Sequence, residues 1–309
     1  MTRLARVSTV GPAIEVRDLA KSYGALVAVD SVTFSVQPGE FFGILGPNGA
    51  GKTTTLEMVE GLRRPDTGDV TLLGEKPWPR NSGLQSRIGV QLQASAFFER
   101  LTAREQIRTF ASLYGVPAAT ADGWLERVGL TDKAGTRTDK LSGGQLQRLA
   151  IACALVHEPE VVFLDEPTAA LDPQARRNLW DLLGGLNDTG RTVVLTTHYM
   201  DEAEALCDRV AIMDHGRILR LDSPAALVRG LDAPVRIYVA PHLMPVDDAR
   251  AIAGVDGAAE EASSVVLTTR QPSTVLSALA EREALEGLQV KAATLEDVFL
   301  ELTGREYRA

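Results

Sequence analysis

The chain has 309 residues, 45% apolar and 24% charged, and its 32 basic against 41 acidic side chains give a formal net charge of −9. This balance supports a packed core in about two domains and excludes wholesale disorder. An acidic chain also has no strong electrostatic reason to coat nucleic acid or an anionic bilayer, so no nucleic-acid partner is expected. The two cysteines, Cys153 and Cys207, cannot build a disulfide framework and read as small buried apolar residues in a reducing compartment. No stretch approaches the ~20 apolar residues that span a bilayer, and the first residues lack the apolar core of a signal peptide. The expectation is a cytosolic chain made without export, which any membrane association would reach through a partner.

Residues 1–12 read as an arm ending at Gly11-Pro12. From Ala13 to Val36, alternation (Ile14, Val16; Val27, Val29; Val32, Phe34, Val36) predicts half-buried antiparallel strands. Phe41–Leu45, Val161–Leu164 and Val193–Leu195 are unbroken apolar runs, the pattern of strands buried on both faces of a parallel sheet, and helical patterns adjoin them. Gly46, Pro47, Asn48, Gly49, Ala50, Gly51, Lys52 and Thr53 match G-x-x-x-x-G-K-[ST], a P-loop, between the run at Phe41 and a helical pattern over Thr54–Val59 that stops at Gly61. Its glycines let backbone N–H groups converge on an anion, and the helix start adds its positive end. Lys52 supplies a charge to the β- and γ-phosphates, and Thr53 a hydroxyl to Mg²⁺.

Spacing over Glu99–Leu130 predicts a helical insertion. At Leu141–Gln145, Ser142 and Gln145 form S-x-x-Q, a capping box that opens a helix and makes a second anion-receptive helix start. The run at Val161 ends in Asp165 and Glu166. Asp165 suits the shell of a Mg²⁺ ion, and alternation turns Glu166 toward the place of an attacking water, whose proton it can accept. Val210–Leu219 predicts a hairpin turning at Asp214-His215-Gly216. Beyond a boundary near 230–234, strands at Val235–Val239 and Val265–Thr269 and helices over Ser273–Glu286 and Thr294–Thr303 predict a small α+β appendage.

LSGGQ at 141–145, with Walker A at 46–53 and Walker B at 161–166, resembles the nucleotide-binding subunit of an ATP-binding cassette (ABC) transporter. The resemblance implies an α/β P-loop NTPase core over 13–228, a mixed sheet with an antiparallel β subdomain and a helical subdomain at about 95–145, followed by an accessory domain at 232–309. It implies ATP and Mg²⁺ as ligands and a second copy of the chain, whose Ser142, Gly144 and Gln145 would touch the γ-phosphate in trans. It places Tyr23 against adenine, Thr54 at the phosphates, Asp172 in the D-loop and His198 as the switch histidine. Gln93 falls at the Q-loop position, with Gln91 the other candidate. Glu166 and His198 together imply true hydrolysis, whereas His157, His215 and His242 read as structural. The apolar-rich stretch Ala94–Tyr114 implies docking of a polytopic membrane permease, and hence a place at the cytoplasmic face of a bacterial plasma membrane. The terminal pattern Ala293–Glu306 and the stretch Met200–Arg217 are similar to drug-, antibiotic- and lipid-exporting cassettes of the type-2 exporter class, although Leu295, Val298, Phe299 and Leu302 are also the apolar face of a helix. Two alternatives stand beside this reading: a soluble cassette ATPase without a transport role, and a P-loop kinase or GTPase, against which LSGGQ argues.

Overall fold

The structure, a computed structural model, describes residues 11–92, 97–169, 171–187, 190–261 and 263–304. Contacts divide the chain between Pro224 and Ala225 into two compact units.

In chain order the first unit begins with β1 (Ile14–Tyr23), β2 (Leu26–Val36), β3 (Phe41–Leu45), α1 (Lys52–Val59), β4 (Thr67–Leu72), α2 (Ser82–Gln85) and β5 (Ile88–Gln91). It continues through α3 (Ala103–Leu113), α4 (Ala118–Arg127), α5 (Gly143–Leu155), β6 (Val161–Asp165), α6 (Pro173–Asn187), β7 (Thr192–Thr197), α7 (Met200–Leu206), β8 (Arg209–Asp214) and β9 (Arg217–Asp222). The alternating strands β1 and β2 pair antiparallel, Ile14 opposite Val36 and Val16 opposite Phe34. On the other edge of β1 lies β4, a strand that the sequence pattern does not announce. Only Val70 and Leu72 of that strand are buried, so its apolar signal is too sparse to register.

The continuous apolar runs form the centre of a six-stranded sheet ordered β5-β6-β7-β3-β8-β9. Its first five strands are parallel, and every residue of β3, β6 and β7 is buried. Register fixes the later chemistry: Leu45 lies opposite Thr197, and Asp165 opposite Thr196. The residues following β3, β6 and β7 therefore emerge side by side at one edge of the sheet, where open α/β sheets bind ligands. The predicted hairpin is β8–β9, turning through His215 and Gly216 at φ 46° and 78°, the paired positive angles of a two-residue turn. The predicted helical insertion is α3 and α4, broken at Gly115–Pro117. A capping box between Thr102 and Glu105 starts α3.

The second unit holds α8 (Pro224–Arg229, shared with the boundary), β10 (Val235–Val239), α9 (Val246–Arg250), β11 (Gly257–Glu261), β12 (Ser264–Thr269), α10 (Pro272–Glu281), β13 (Gln289–Lys291) and α11 (Leu295–Thr303). Its four strands are antiparallel in the order β11-β12-β10-β13. Ile237, Val239, Val265 and Leu267 pack with Val275 and Leu279 of α10 in a separate core. The helix expected over Ser273–Glu286 ends earlier, at Glu281, because Glu283 takes a positive φ of 57° that no helix accommodates.

One buried group carries a pH signature. Glu60, directly after α1, is 3% exposed, and neither carboxyl oxygen has a partner among the described residues. Burial, with help from Asp165 and Glu57, pushes its pKa up from 4.5 to about 8. The native chain thus keeps a proton that the unfolded chain releases above pH 4.5. Glu60 therefore costs stability progressively as pH rises from about 4.5 to about 8. Glu60→Gln is expected to melt increasingly above the native protein between pH 5 and pH 9, the gap widening by a few kcal/mol. A melting-temperature gap that stays constant over that range contradicts the assignment.

Candidate active site

The loop Gly46–Gly51 joins β3 to α1 and is clamped from three sides. Gly46 N–H donates to the Thr197 carbonyl at 3.2 Å, and Gly216 N–H donates to the Ala50 carbonyl at 3.0 Å. A Cβ on Gly46 would stand 2.1 Å from the Met213 carbonyl, so the approach itself demands glycine. Gly51 has φ 100°, and a Cβ there would meet the Ala28 carbonyl at 2.3 Å. Gly51 opens α1 without a side-chain cap and with no acidic residue in its first turn, which leaves the first amides of that helix for an anion. Lys52 is buried, and its Nζ donates to the carbonyls of Gly46 at 2.8 Å and Pro47 at 3.1 Å.

A cleft of about 520 Å³ opens over this loop. It is lined by Tyr23, Leu26, Val27, Ala28, Asn48, Gly49, Gly51, Lys52, Thr53, Thr54, Glu166 and His215. That volume is ordinary for a small-molecule site. The Tyr23 ring is 41% exposed, with the cations of Lys21 and Arg63 5.7 and 5.4 Å from its centre. His215, which reads as structural from sequence, belongs to this cleft. Its signal is positional, in a hairpin turn whose glycine bonds the P-loop.

Asp165 ends β6 buried, accepting hydrogen bonds from the hydroxyls of Thr53 (3.2 Å) and Thr196. Burial holds its carboxyl above the ordinary range, although those two hydroxyls offset part of the rise. Glu166 follows outside the strand with φ 47°, its N–H held by the carbonyl (3.1 Å) and hydroxyl (3.0 Å) of Thr196. Its turn away from Asp165 thus comes from a left-handed backbone step and not from strand alternation. Such a step costs on the order of 1–3 kcal/mol and is found at functional sites. Its carboxylate lies 3.2 Å from Lys52 Nζ and 3.1 Å from Nδ1 of His198, the residue directly after β7. Hydrogen bonding from His198, opposed by burial and aided by Lys52, holds Glu166 below the usual carboxylate range. The residue is therefore an anion at neutral pH, able to accept a proton.

The remaining sequence candidates lie elsewhere. Ser142 Oγ accepts from Gln145 N–H at 3.3 Å, and Gln145 Oε1 accepts from Ser142 N–H at 3.0 Å, the predicted capping box at the start of α5. Beside it stands the start of α6: a Cβ on Gly144 would meet Ala175 and Leu171 at 3.6 Å. Asp172 caps α6, its Oδ1 accepting from the N–H groups of Gln174 (3.0 Å) and Ala175 (2.9 Å). Ser142, Gly144, Gln145 and Asp172 do not line the cleft over Lys52. Gln93 and Ala94 fall outside the described residues. Gln91 ends β5 buried and donates to the Leu92 carbonyl. His157 stacks on Tyr114 at 3.8 Å, and both cysteines are buried and free, with Cys153 pushed up to about 12 by burial.

A family model described as ABC transporter matches residues 29–169. Nod factor export ATP-binding protein I of Paraburkholderia xenovorans (strain LB400) is 41% identical over 307 residues, covering 95% of this chain and 98% of that protein. The protein of the same name from Sinorhizobium fredii (strain NBRC 101917 / NGR234) is 40% identical, covering 96% and 87%. Among solved structures, an ATP-binding subunit of an ABC transporter superposes with a TM-score of 0.64 at 29% identity, over 71% of this chain and 92% of its own. A bacterial ABC transporter cassette solved as a dimer gives 0.64 at 28%, over 68% and 98%.

Proposed function

This chain belongs to the ABC transporter family as an ATP-binding, ATP-hydrolysing subunit, and on that premise we propose that two copies close around two nucleotides and drive export through a separate membrane permease. The observation that carries the proposal is a division within one chain. A cleft with a lysine, a proton-accepting glutamate and free helix amides stands apart from a second capped, glycine-bearing helix start that does not reach it. Two copies facing each other supply each cleft with the helix start that it lacks.

In each cleft Tyr23 stacks on adenine, while the amides of Gly49–Thr54 and the Lys52 ammonium take the phosphates. Asp165 and Thr53 offer hard oxygen donors at the buried end of the site, a set that fits Mg²⁺, which usually keeps water and substrate phosphate as its other ligands. When bound, that ion neutralises charge on the β- and γ-phosphates. Glu166 orients a water and takes its proton as the water oxygen bonds the γ-phosphorus and the bond to the β–γ bridging oxygen breaks. His198 holds the glutamate in place at 3.1 Å. Ser142, Gly144 and Gln145 of the second copy contact the γ-phosphate, Asp172 supports that junction, and Gln93 reports the site to the permease. ATP stabilises only the closed pair, because its γ-phosphate touches both copies, and hydrolysis removes that differential contact.

Among the described residues no helix is long and apolar enough to cross a membrane; the reading assigns the translocation path to the permease. The export names of the relatives support outward transport, while a drug, antibiotic or lipid-like cargo and a place at the cytoplasmic face of a bacterial plasma membrane rest on the resemblance of the terminal pattern Ala293–Glu306 and of the docking stretch. An accessory domain over 232–309 follows a cassette at 13–228 in this reading. Co-expression with a candidate polytopic membrane protein, such as one read from the neighbouring reading frame, is the direct test. A stoichiometric complex whose ATPase rate in proteoliposomes exceeds that of the free subunit is the expected result. Failure to form any such complex, with full activity of the free chain, supports the soluble ATPase instead.

A further inference from the structure

The histidine of the hydrolytic pair has an aromatic neighbour that the chemistry assigned so far does not use. Tyr199, directly after His198, has an extended backbone (φ −94°, ψ 118°) where the chain enters α7. Its ring centre lies 4.1 Å from that of the His198 imidazole, the two planes tilted by 41°. The backbone of Tyr199 is fixed at both ends. Its N–H donates to the Thr197 hydroxyl at 2.9 Å, and its carbonyl accepts from Ala203 N–H at 3.3 Å. The guanidinium of Arg176 lies over the same ring, 3.8 Å from its centre. Arg176 is set in the first turn of α6, where its N–H donates to the Asp172 carbonyl at 3.0 Å. Its Nη1 stands 3.6 Å from a carboxylate oxygen of Asp201. A series of contacts thus runs from α6 through Arg176, Tyr199 and His198 to Glu166, which lies 3.1 Å from the imidazole Nδ1.

We propose that Tyr199 is a positioning residue for ATP hydrolysis: its ring, stacked on Arg176, holds the imidazole of His198 at the angle from which Nδ1 meets Glu166. The torsion that turns an imidazole about its Cβ–Cγ bond has broad wells, so the ring swings unless a surface fixes its plane. A tilted aromatic ring at 4.1 Å is such a surface. The phenol ring is itself kept in place by a planar guanidinium on a capped helix, a stacking that the compact ammonium of a lysine does not reproduce. None of these contacts uses the phenol hydroxyl, so the ring carries the effect. A misplacement of about 1 Å near a reacting centre costs as much as about a hundredfold in rate. The proposal rests on reading Glu166 and His198 as the hydrolytic pair.

Tyr199→Phe, Tyr199→Leu and Arg176→Lys test it in the full chain, with Glu166→Gln run alongside. ATP turnover is expressed per competent site, counted by titration with a fluorescent ATP analogue. The ring resonance of His198, one of four histidines, is followed by NMR and assigned by its loss in His198→Gln. Tyr199→Leu is expected to lose at least about tenfold in kcat per site with the KM for ATP within about twofold, and to move the His198 resonance as the ring current disappears. Tyr199→Phe, which keeps the ring, is expected to stay within about twofold of the native rate with that resonance in place. Arg176→Lys, which keeps the charge without the plane, is expected to lose at least about threefold in kcat per site. The proposal is overturned if Tyr199→Leu or Arg176→Lys turns over at the native rate per site, or if Phe does no better than Leu. An unmoved His198 resonance in Tyr199→Leu, or activity that falls only in step with the number of sites, overturns it as well. Retained activity in Glu166→Gln sinks the underlying reading instead, whatever the Tyr199 variants do.

Discussion

Glu166→Gln is expected to lower ATP turnover by at least about a hundredfold, bind ATP undiminished, and accumulate as an ATP-bound dimer. The size follows from the loss of a positioned general base, typically worth 10²–10⁴-fold. Glutamine keeps the volume, but its amide cannot accept the proton, and hydrolysis is what releases the contact between copies. Affinity is spared because the carboxylate binds no phosphate. In the nucleotide-free chain it neutralises Lys52 at 3.2 Å, so its removal leaves the ammonium freer for ATP. Light scattering after gel filtration in ATP, with phosphate release measured in parallel, reads both effects. Rapid turnover without a stable dimer contradicts the assignment.

Lys52→Ala is expected to weaken ATP binding at least about tenfold and to reduce hydrolysis by at least about a hundredfold. The Lys52 ammonium is buried at the foot of the cleft, where a charge-assisted contact to phosphate counts for more than it does in water. A second consequence has a definite sign. Lys52 is one of the groups holding Glu166 below the ordinary carboxylate range, so its loss raises the pKa of that glutamate. The residual activity should therefore fall away at a higher pH on the acid side than that of the native protein. Equilibrium titration with a fluorescent ATP analogue measures the first effect and a pH–rate profile the last. Native affinity in this variant removes Lys52 from the phosphate site.

How much of the molecule is legible in its sequence depends on how local each signal is. The P-loop, the capping box at Ser142 and the carboxylates at 165–166 each occupy a few consecutive residues whose chemistry dictates a local geometry. The parallel strands announce themselves because burial on both faces leaves no polar position. Strand β4 escapes notice because two buried side chains out of six make no pattern. Strand β11, Gly-Ala-Ala-Glu-Glu, has no fully buried residue and pairs only because β12 offers it an edge. The over-long helix expected at 273–286 shows that local propensity does not foresee a positive φ at Glu283. Within the site, the left-handed step at Glu166 and the place of His215 depend on contacts between β7, β8 and the P-loop that are far apart in sequence.

The central claim is that each site is completed by another copy, and mixing two crippled chains tests it directly. Lys52→Ala damages the cleft, and Gly144→Asp places a negative charge on the helix start assigned to the opposite γ-phosphate. Gly144 has room for a side chain, its nearest neighbours being 3.6 Å from a Cβ, so the second variant should fold. Each alone is expected to be inactive. An equal mixture is expected to recover about a quarter of native turnover, since random exchange makes half the pairs mixed and each mixed pair holds one intact site. A mixture that stays dead despite demonstrated pairing, or a Gly144→Asp chain with native turnover on its own, contradicts the shared site.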